Sequence, residues 1–182
     1  MKRLFVFLGV LFSGLGIYGC DALNVSQEAK VSLPFGKAYN YNDILVVRAV
    51  DGDTLKLENG ERVRLIGIDT PEMHESNKLY KDSQRTGQDI RTIQAMGKKS
   101  YIFTRDLVEG KRVRLEFDVE KKDRYERLLA YVYLKDGTFL NAEIVKQGYA
   151  SLMTYPPNVK YADDFVKLYR EARENNRGLW KE

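Results

Sequence analysis

The feature that most limits how this chain can fold is a series of short strand-like segments, each closed by turn residues. They are rich in Val, Ile and Leu and cover residues 44–50, 54–57, 63–68, 112–117 and 128–134. Runs of this length, bounded by Gly, Asn and Asp, are typical of strands in small β domains. Five of them predict a small barrel or a sandwich.

Helical patterns interrupt and follow these strands. Residues 88–107 form one candidate, and 141–147 form a shorter one that we expect to begin with an Asn141 cap and end at Gly148. A third pattern near the C-terminus stops at Gly178 and carries an apolar stripe at helical spacing. The residues of that stripe are Tyr161, Phe165, Leu168 and Ala172. The fold class predicted is α+β, mainly β, with about three helices.

Residues 1–19 have the composition of an export signal. Lys2 and Arg3 precede an uncharged, largely apolar run that is too short to cross a bilayer comfortably. The run ends at Cys20, in a sequence that resembles the cleavage site of bacterial lipoproteins. We therefore expect an exported protein anchored to a membrane by lipid on Cys20. The alternative is an ordinary signal peptide or an uncleaved anchor, with an incidental cysteine.

The rest of the chain divides into a tether and one domain. Residues 20–42 lack periodicity and are predicted to be flexible, whereas residues 43–182 are long enough for one hydrophobic core. Cys20 is the only cysteine, so no disulfide can form within the chain. Without Lys2 and Arg3 of residues 1–19, the formal charge falls from +4 to +2. This is weak evidence for a nucleic-acid partner, because phosphate binding depends on clustered Lys and Arg. A monomer is the default expectation.

Two apolar strand faces each lead to a carboxylate. Asp53 is in phase with Leu55, and Asp69 is in phase with Val63. The two faces meet only if the hairpin loop has three residues, 58–60, because a two-residue turn would set Leu55 against a polar position. We therefore predict a three-residue loop with a left-handed glycine, and convergence of the two carboxylates.

The same alternation creates a conflict for Arg64. It lies on the strand face opposite to Asp53, so only a bulge or strong barrel curvature before Asp69 could bring it round to the two carboxylates. A solvent-facing strand arginine is the alternative.

Converging carboxylates need a compensating charge. Two ionised carboxylates about 5 Å apart repel by about 3 kcal/mol at an effective dielectric constant near 20, so one binds a proton or a cation lies between them. Asp53, Asp69 and the Thr70 carbonyl offer only oxygen donors, which favours Ca²⁺. Zinc is disfavoured because cysteine and histidine are not close by, and His74, the only histidine, is expected to be a solvated loop residue.

Five blocks of sequence together resemble the staphylococcal nuclease (thermonuclease) family. They are DGDT at 51–54, RLIGIDTPE at 64–72, DRYERLLAY at 123–131, NAEIVKQG at 141–148 and NRGLW at 176–180. The resemblance covers residues 43–180 and implies a five-stranded OB-fold barrel with three helices. It also implies Ca²⁺-dependent hydrolysis of phosphodiester bonds in DNA and RNA by a thermonuclease-like endonuclease.

The resemblance assigns roles to individual residues. Asp53, Asp69 and the Thr70 carbonyl would hold Ca²⁺, Glu72 would be the general base, and Arg64 and Arg127 would bind the phosphate. Ca²⁺ and two guanidinium groups suit an anion that gains charge during attack by water. Tyr125 and Tyr155 are the candidates for stacking on nucleic-acid bases.

Two departures from the family pattern stand near the expected site. Glu126 occupies a position where the family often has glycine, which puts a negative group beside Arg127. Residues 73–86 form a longer segment than the family pattern, and we expect a polar loop that clamps or excludes longer substrates.

Two other functions compete with the nuclease. A non-catalytic OB-fold module that binds nucleic acid or protein would not need Glu72. A purely structural Ca²⁺ domain would need neither Arg64 nor Arg127, so the presence of both arginines counts against it.

Overall fold

The computed structural model describes residues 39–181. The expected signal peptide at 1–19, Cys20 and the expected tether as far as residue 38 lie outside the described residues. Within residues 39–181, no helix has both the length and the apolar composition that crossing a membrane requires.

The described chain contains seven strands and four α-helices. The strands are β1 (Ile44–Ala49), β2 (Thr54–Leu57), β3 (Arg62–Leu65), β4 (Gly67–Asp69), β5 (Arg112–Glu116), β6 (Leu128–Leu134) and β7 (Ser151–Met153). The helices are α1 (Asn77–Thr86), α2 (Ile90–Val108), α3 (Leu140–Lys146) and α4 (Ala162–Glu174), followed by a 3₁₀ helix at Gly178–Trp180.

Five of the strands close into a barrel in the order β1, β2, β3, β6, β5. The β3–β6 pairing is parallel, and the other barrel pairings are antiparallel. This closed mixed barrel confirms the predicted OB-fold class. The described chain has four α-helices where about three were expected.

The core fills the barrel and the space under α2, α3 and α4. Leu55, Val63 and Val132 are fully buried inside it, and burial of such side chains stabilises a fold by about 1.5–3 kcal/mol each. Helix α2 packs on β1, and α3 packs between β6 and α4.

The hairpin between β2 and β3 has the predicted register. Leu55 pairs with Val63, and the loop spans residues 58–60, with Gly60 at φ +88°. The Gly60 N–H donates to the Leu57 carbonyl at 3.0 Å. The three-residue loop is thereby confirmed.

The single strand expected at 63–68 is instead two strands that separate at Gly67. Gly67 has φ +84°, and a Cβ at this position would overlap the ring of Phe165. Beyond this point β4 leaves the barrel and pairs with β7. The uninterrupted apolar run concealed the break, because residues on both sides of it are buried.

The polar loop expected at 73–86 is wrong for most of its length, where α1 forms. Its N-cap is Ser76, whose hydroxyl accepts the Leu79 N–H at 3.1 Å, and Leu79 is fully buried. Gly87 ends the helix in the left-handed region. A helix with a single buried residue has too weak an apolar stripe to be recognised by periodicity.

The expected Asn141 cap is also wrong. Helix α3 begins at Leu140, and the buried Asn141 side chain instead bonds across the fold. Its Oδ1 accepts the Val132 N–H at 3.0 Å, and its Nδ2 donates to the Ile66 carbonyl at 2.9 Å. This amide therefore links β6 to the residue just before the strand break.

Two glycines were expected to end helices, and only one of them does. Gly148 follows α3 with φ +76°, as expected. Gly178 does not stop α4, which ends at Glu174, but opens the 3₁₀ helix instead.

Candidate active site

The break at Gly67 brings Arg64 to the two carboxylates. Arg64 Nη1 lies 2.9 Å from Asp53 Oδ2, and its Nη2 lies 2.9 Å from Asp69 Oδ1. The three side chains are largely buried, at 7–13% exposure. Asp53 and Asp69 therefore converge as predicted, and a guanidinium group joins them.

The alternation argument that turned Arg64 away is corrected by where the strands begin and end. Strand β2 starts at Thr54, so Asp53 belongs to the preceding turn and does not follow strand alternation. The left-handed Gly67 then resets the alternation before Asp69. Both carboxylates can thus reach the side of the hairpin that carries Arg64.

Asp53 is held by Thr70 on the neighbouring strand end. Its Oδ2 accepts the Thr70 N–H at 2.9 Å and the Thr70 hydroxyl at 3.1 Å. The adjacent Gly52 is required here, since a Cβ would lie 2.7 Å from the Thr70 side chain. From α2, the Thr104 hydroxyl donates to the Gly52 carbonyl at 2.7 Å and fixes the turn.

Asp51 is a further carboxylate at this site, and the sequence reasoning did not assign it a role. Its Oδ1 accepts the Asp53 N–H at 3.0 Å. Burial, followed by the charge of Asp53, raises the pKa of Asp51 to about 7. Its position in the DGDT block was the signal that could have identified it.

A lysine from α1 contacts the same group of oxygens. Lys78 Nζ lies 2.9 Å from Glu72 Oε1, 3.1 Å from Asp69 Oδ1 and 3.1 Å from the Thr70 carbonyl. Burial lowers the pKa of Lys78, but Asp69 and Glu72 raise it by more, so the net shift is upward. Burial raises the pKa of Asp69 despite the neighbouring charges of Lys78 and Arg64.

The turn before β6 presents Arg127 to the same cleft. Asp123 Oδ2 accepts from Arg127 Nε at 2.7 Å and lies 2.7 Å from its Nη2. Asp123 Oδ1 accepts the N–H groups of Tyr125 and Arg127, at 2.9 and 3.0 Å. Glu126 within this turn has φ +61°. One carboxylate therefore fixes both the turn and the direction of the guanidinium group.

A cleft of about 660 Å³ joins these groups. The predicted site residues that line it are Asp53, Arg64, Asp69, Thr70, Glu72, Tyr125, Arg127 and Tyr155. Tyr125 and Tyr155 are 64% and 70% exposed at its rim. The structure thus brings every residue singled out for catalysis, metal binding or stacking to one place.

The donor set suits a hard cation. Among the carboxylates that line the cleft, those of Asp51, Asp53, Asp69 and Glu72 lie on the side of Arg64, and Arg64 and Lys78 are in contact with three of them, Asp53, Asp69 and Glu72. Within residues 39–181, no group of three or more His, Cys, Asp or Glu side chains is arranged to hold a metal ion. Asp53, Asp69 and the Thr70 carbonyl offer oxygen donors of the kind that hard cations take.

Comparison with known proteins identifies the class to which this barrel and cleft belong. The model of a family described as staphylococcal nuclease homologues matches residues 62–182. The chain therefore belongs to the staphylococcal nuclease family, and it is a phosphodiester hydrolase.

Similar proteins come from bacteria and archaea. The chain is 39% identical over 140 residues to the thermonuclease of Staphylococcus intermedius, which covers 75% of each chain. It is 33% identical over 159 residues to endonuclease YncB of Bacillus subtilis, covering 84% of this chain and 69% of YncB. An uncharacterized protein of Methanocaldococcus jannaschii is 40% identical over 146 residues, covering 74% of this chain and 70% of that protein.

Proposed function

We propose that this nuclease hydrolyses DNA and RNA with the help of Ca²⁺. The observation that carries the proposal is the cleft in which two guanidinium groups, from Arg64 and Arg127, face the carboxylates of Asp53, Asp69 and Glu72. Arginine forks recognise phosphate oxygens, and carboxylates serve as cation ligands and as a base. A binding surface for nucleic acid alone would need the former and not the latter.

Asp53, Asp69 and the Thr70 carbonyl are the residues that would hold Ca²⁺. Ca²⁺ at this point would neutralise charge that develops on the phosphate oxygens. Burial and the charge of Asp53 raise the pKa values of Asp51 and Asp69, and a divalent cation at this point would favour their ionised forms.

Glu72 acts as the general base in this mechanism. Its carboxylate lies at the edge of the cleft, where its side chain is 30% exposed and a water molecule can reach it. The carboxylate removes a proton from the attacking water as the new P–O bond forms. The P–O bond to the departing nucleotide breaks with its electron pair going to that oxygen, which takes up a proton from solvent. The contact with Lys78 at 2.9 Å directs Oε1, and the Ser76 hydroxyl contacts Oε2 at 3.4 Å.

Arg64 and Arg127 bind and orient the phosphate from two directions. Arg64 is supported by Asp53 and Asp69, and Arg127 by Asp123. Supported guanidinium groups need little reorganisation when charge builds up on the phosphate. Tyr125 and Tyr155 would stack on the bases beside the scissile phosphate, which their exposure at the rim allows.

The deciding experiment is digestion of denatured DNA and of RNA by the full chain, with Ca²⁺ or with a chelator, beside Glu72→Gln. We expect cleavage that requires Ca²⁺ and falls by about 10²- to 10⁴-fold in Glu72→Gln, because loss of a general base has effects of that size. Glu75→Gln, an exposed neighbour, is the control and should retain activity.

A non-catalytic OB-fold module remains the competing function. It would bind nucleic acid equally well with Glu72→Gln and would show no Ca²⁺-dependent cleavage in the wild type. Cleavage that survives Glu72→Gln would instead mean that another group is the base.

We also propose that the protein is exported and anchored by lipid on Cys20, and that it acts as a monomer. The charged start, the apolar run and the cysteine at its end support export and the lipid anchor. Membrane fractionation of cells that produce wild type or Cys20→Ser tests it. Transfer of the variant from the membrane to the soluble fraction is the expected result, and an equal membrane share for both would contradict it.

A further inference from the structure

Lys78 contacts three oxygens that also define the proposed cation site. A lysine ammonium has three N–H donors and no acceptor. Here its acceptors are the Asp69 carboxylate, the Thr70 carbonyl and the Glu72 carboxylate, at 2.9–3.1 Å. Two of these groups are proposed Ca²⁺ ligands, and the third is the proposed base.

The lysine is delivered by an anchored helix. The Ser76 cap and the fully buried Leu79 fix the first turn of α1 on either side of Lys78. The Lys78 side chain nevertheless remains 34% exposed. The ammonium can therefore withdraw into solvent by rotation of its own side chain, while α1 stays in place.

An ammonium and a divalent ion compete for these oxygens. Both need the lone pairs of Asp69 and Thr70, and two cations at such short separation repel strongly. Arg64 occupies the other side of Asp69, with its Nη2 at 2.9 Å from the same Oδ1. Arg64 also pairs with Asp53 and its side chain is only 13% exposed, whereas the Lys78 side chain is 34% exposed and is therefore the cation that can withdraw into solvent.

We propose that Lys78 is a tethered internal cation that competes with Ca²⁺ for Asp69 and Thr70, and so sets the Ca²⁺ concentration at which the enzyme becomes loaded. This inference rests on the proposed function. Loading displaces the ammonium from Asp69 and Thr70. A cation that binds these oxygens only weakly cannot displace it, so Lys78 also makes the site selective for divalent ions.

The test is calorimetric titration of the full chain with Ca²⁺ in the absence of nucleic acid. Lys78→Met removes the charge and retains most of the side-chain length. The matched control is Lys81→Met, which removes an exposed lysine from the same helix. We expect the Kd for Ca²⁺ to fall by about tenfold or more in Lys78→Met and to stay within about twofold in Lys81→Met.

A second measurement follows Lys78 directly. In wild type, the side-chain NMR signals of Lys78 should shift on addition of Ca²⁺ as its ammonium is released, and those of Lys81 should not. If Lys78→Met does not fold without metal, Lys78→Gln takes its place in the titration. The NMR measurement needs no variant at all.

The possible outcomes distinguish failure of the competition by Lys78 from failure of the proposed Ca²⁺ dependence. Equal Ca²⁺ affinity in wild type and Lys78→Met overturns the competition and leaves the Ca²⁺ site standing. Weaker affinity in the variant also overturns it, because Lys78 would then organise the ligands for the ion. Absence of Ca²⁺ binding in both proteins overturns the Ca²⁺ assignment and the inference together.

Discussion

At the scale of single residues, Glu126 has a strained backbone conformation, and the contact of its side chain is too weak to offset the strain. It has φ +61°, a conformation that favours glycine, and its contact with Lys122 is an exposed ion pair. The turn keeps this shape because Asp123 accepts the N–H groups of Tyr125 and Arg127. The strain is therefore tolerated in the turn that positions Arg127.

Glu126→Gly should raise the free energy of unfolding by about 0.5–1 kcal/mol, because the strain of a non-glycine residue in the left-handed region is removed. Urea denaturation measures the change. Glu126→Gln is the control, since it keeps the strain and loses only the charge. A gain of stability in Glu126→Gln equal to that of Glu126→Gly would assign the effect to charge.

Asp123 makes stability depend on pH. Burial raises the pKa of Asp123, but hydrogen bonds from Arg127 and the backbone lower it by more, so the folded-state pKa lies below the ordinary value. A carboxyl group with a lowered folded-state pKa stabilises the fold above its unfolded-state pKa. That contribution is lost as the pH falls through the folded-state value.

Asp123→Asn should therefore lower the free energy of unfolding by about 1–2 kcal/mol near neutral pH. The difference from wild type should shrink below about pH 4, where wild type loses the same charge. Denaturation curves at a series of pH values measure it. A difference that stays constant down to strongly acidic pH would exclude the ionised carboxylate as its source.

At the scale of elements, the break between β3 and β4 is the feature on which the site depends. Gly67 permits both a left-handed backbone and the close approach of Phe165 from α4. Gly60 has nearly the same φ, +88°, but a Cβ added there would meet no other part of the protein within 4 Å. A side chain at position 60 would thus add backbone strain alone, whereas one at position 67 would add both strain and steric overlap.

Gly60→Ala should cost about 1 kcal/mol of stability, from backbone strain alone. Gly67→Ala should cost more than about 3 kcal/mol, because the overlap with Phe165 adds to the strain. Thermal or urea unfolding of both variants measures the difference. Equal costs would mean that Phe165 moves aside freely and does not hold the break.

Sequence patterns predicted those features that depend only on residues close together in the chain. Strand alternation and a glycine in the loop were enough to place the Leu55–Val63 register. Asp53 and Asp69 do converge, but through the turn before β2 and the break at Gly67 and not through alternation. The course of Arg64 could not be predicted in this way. It depends on where β2 begins and on a strand break whose cause, Phe165, lies far along the chain.

The contacts of α1 were beyond sequence patterns for a related reason. One buried residue, Leu79, anchors the helix, so the sequence of α1 has no apolar stripe at helical spacing. In the sequence Lys78 is one polar residue among several in its segment, and its three acceptors come together only in the folded chain. The resemblance to a family supplied site residues, and the fold supplied the neighbours that tune them.

At the scale of the whole molecule, the formal charge of +4 is small. Affinity for nucleic acid is therefore expected to depend on the cationic side chains that line the cleft. The cationic groups there that can meet phosphates are Arg64, Lys122, Arg124 and Arg127. Contact with two to four phosphates predicts a modest dependence of affinity on salt.

For Glu72→Gln bound to a short DNA duplex, a rise from about 50 to about 200 mM salt should weaken binding by about 10- to 100-fold. Fluorescence anisotropy in the presence of Ca²⁺ measures it. A much steeper dependence would reveal a further basic surface outside the cleft.

The parallel pairing of β3 with β6 joins residues that are distant in the sequence. Val63 pairs with Leu128 and Arg64 with Leu129, so the last seam of the barrel sets Arg64 close to the turn that carries Arg127. Closing a long loop is slow and entropically costly, so this seam depends on the rest of the barrel being in place. A partly folded chain has Arg64 and Arg127 apart. The cleft is then not assembled, so the chain acquires nuclease activity only when the barrel closes.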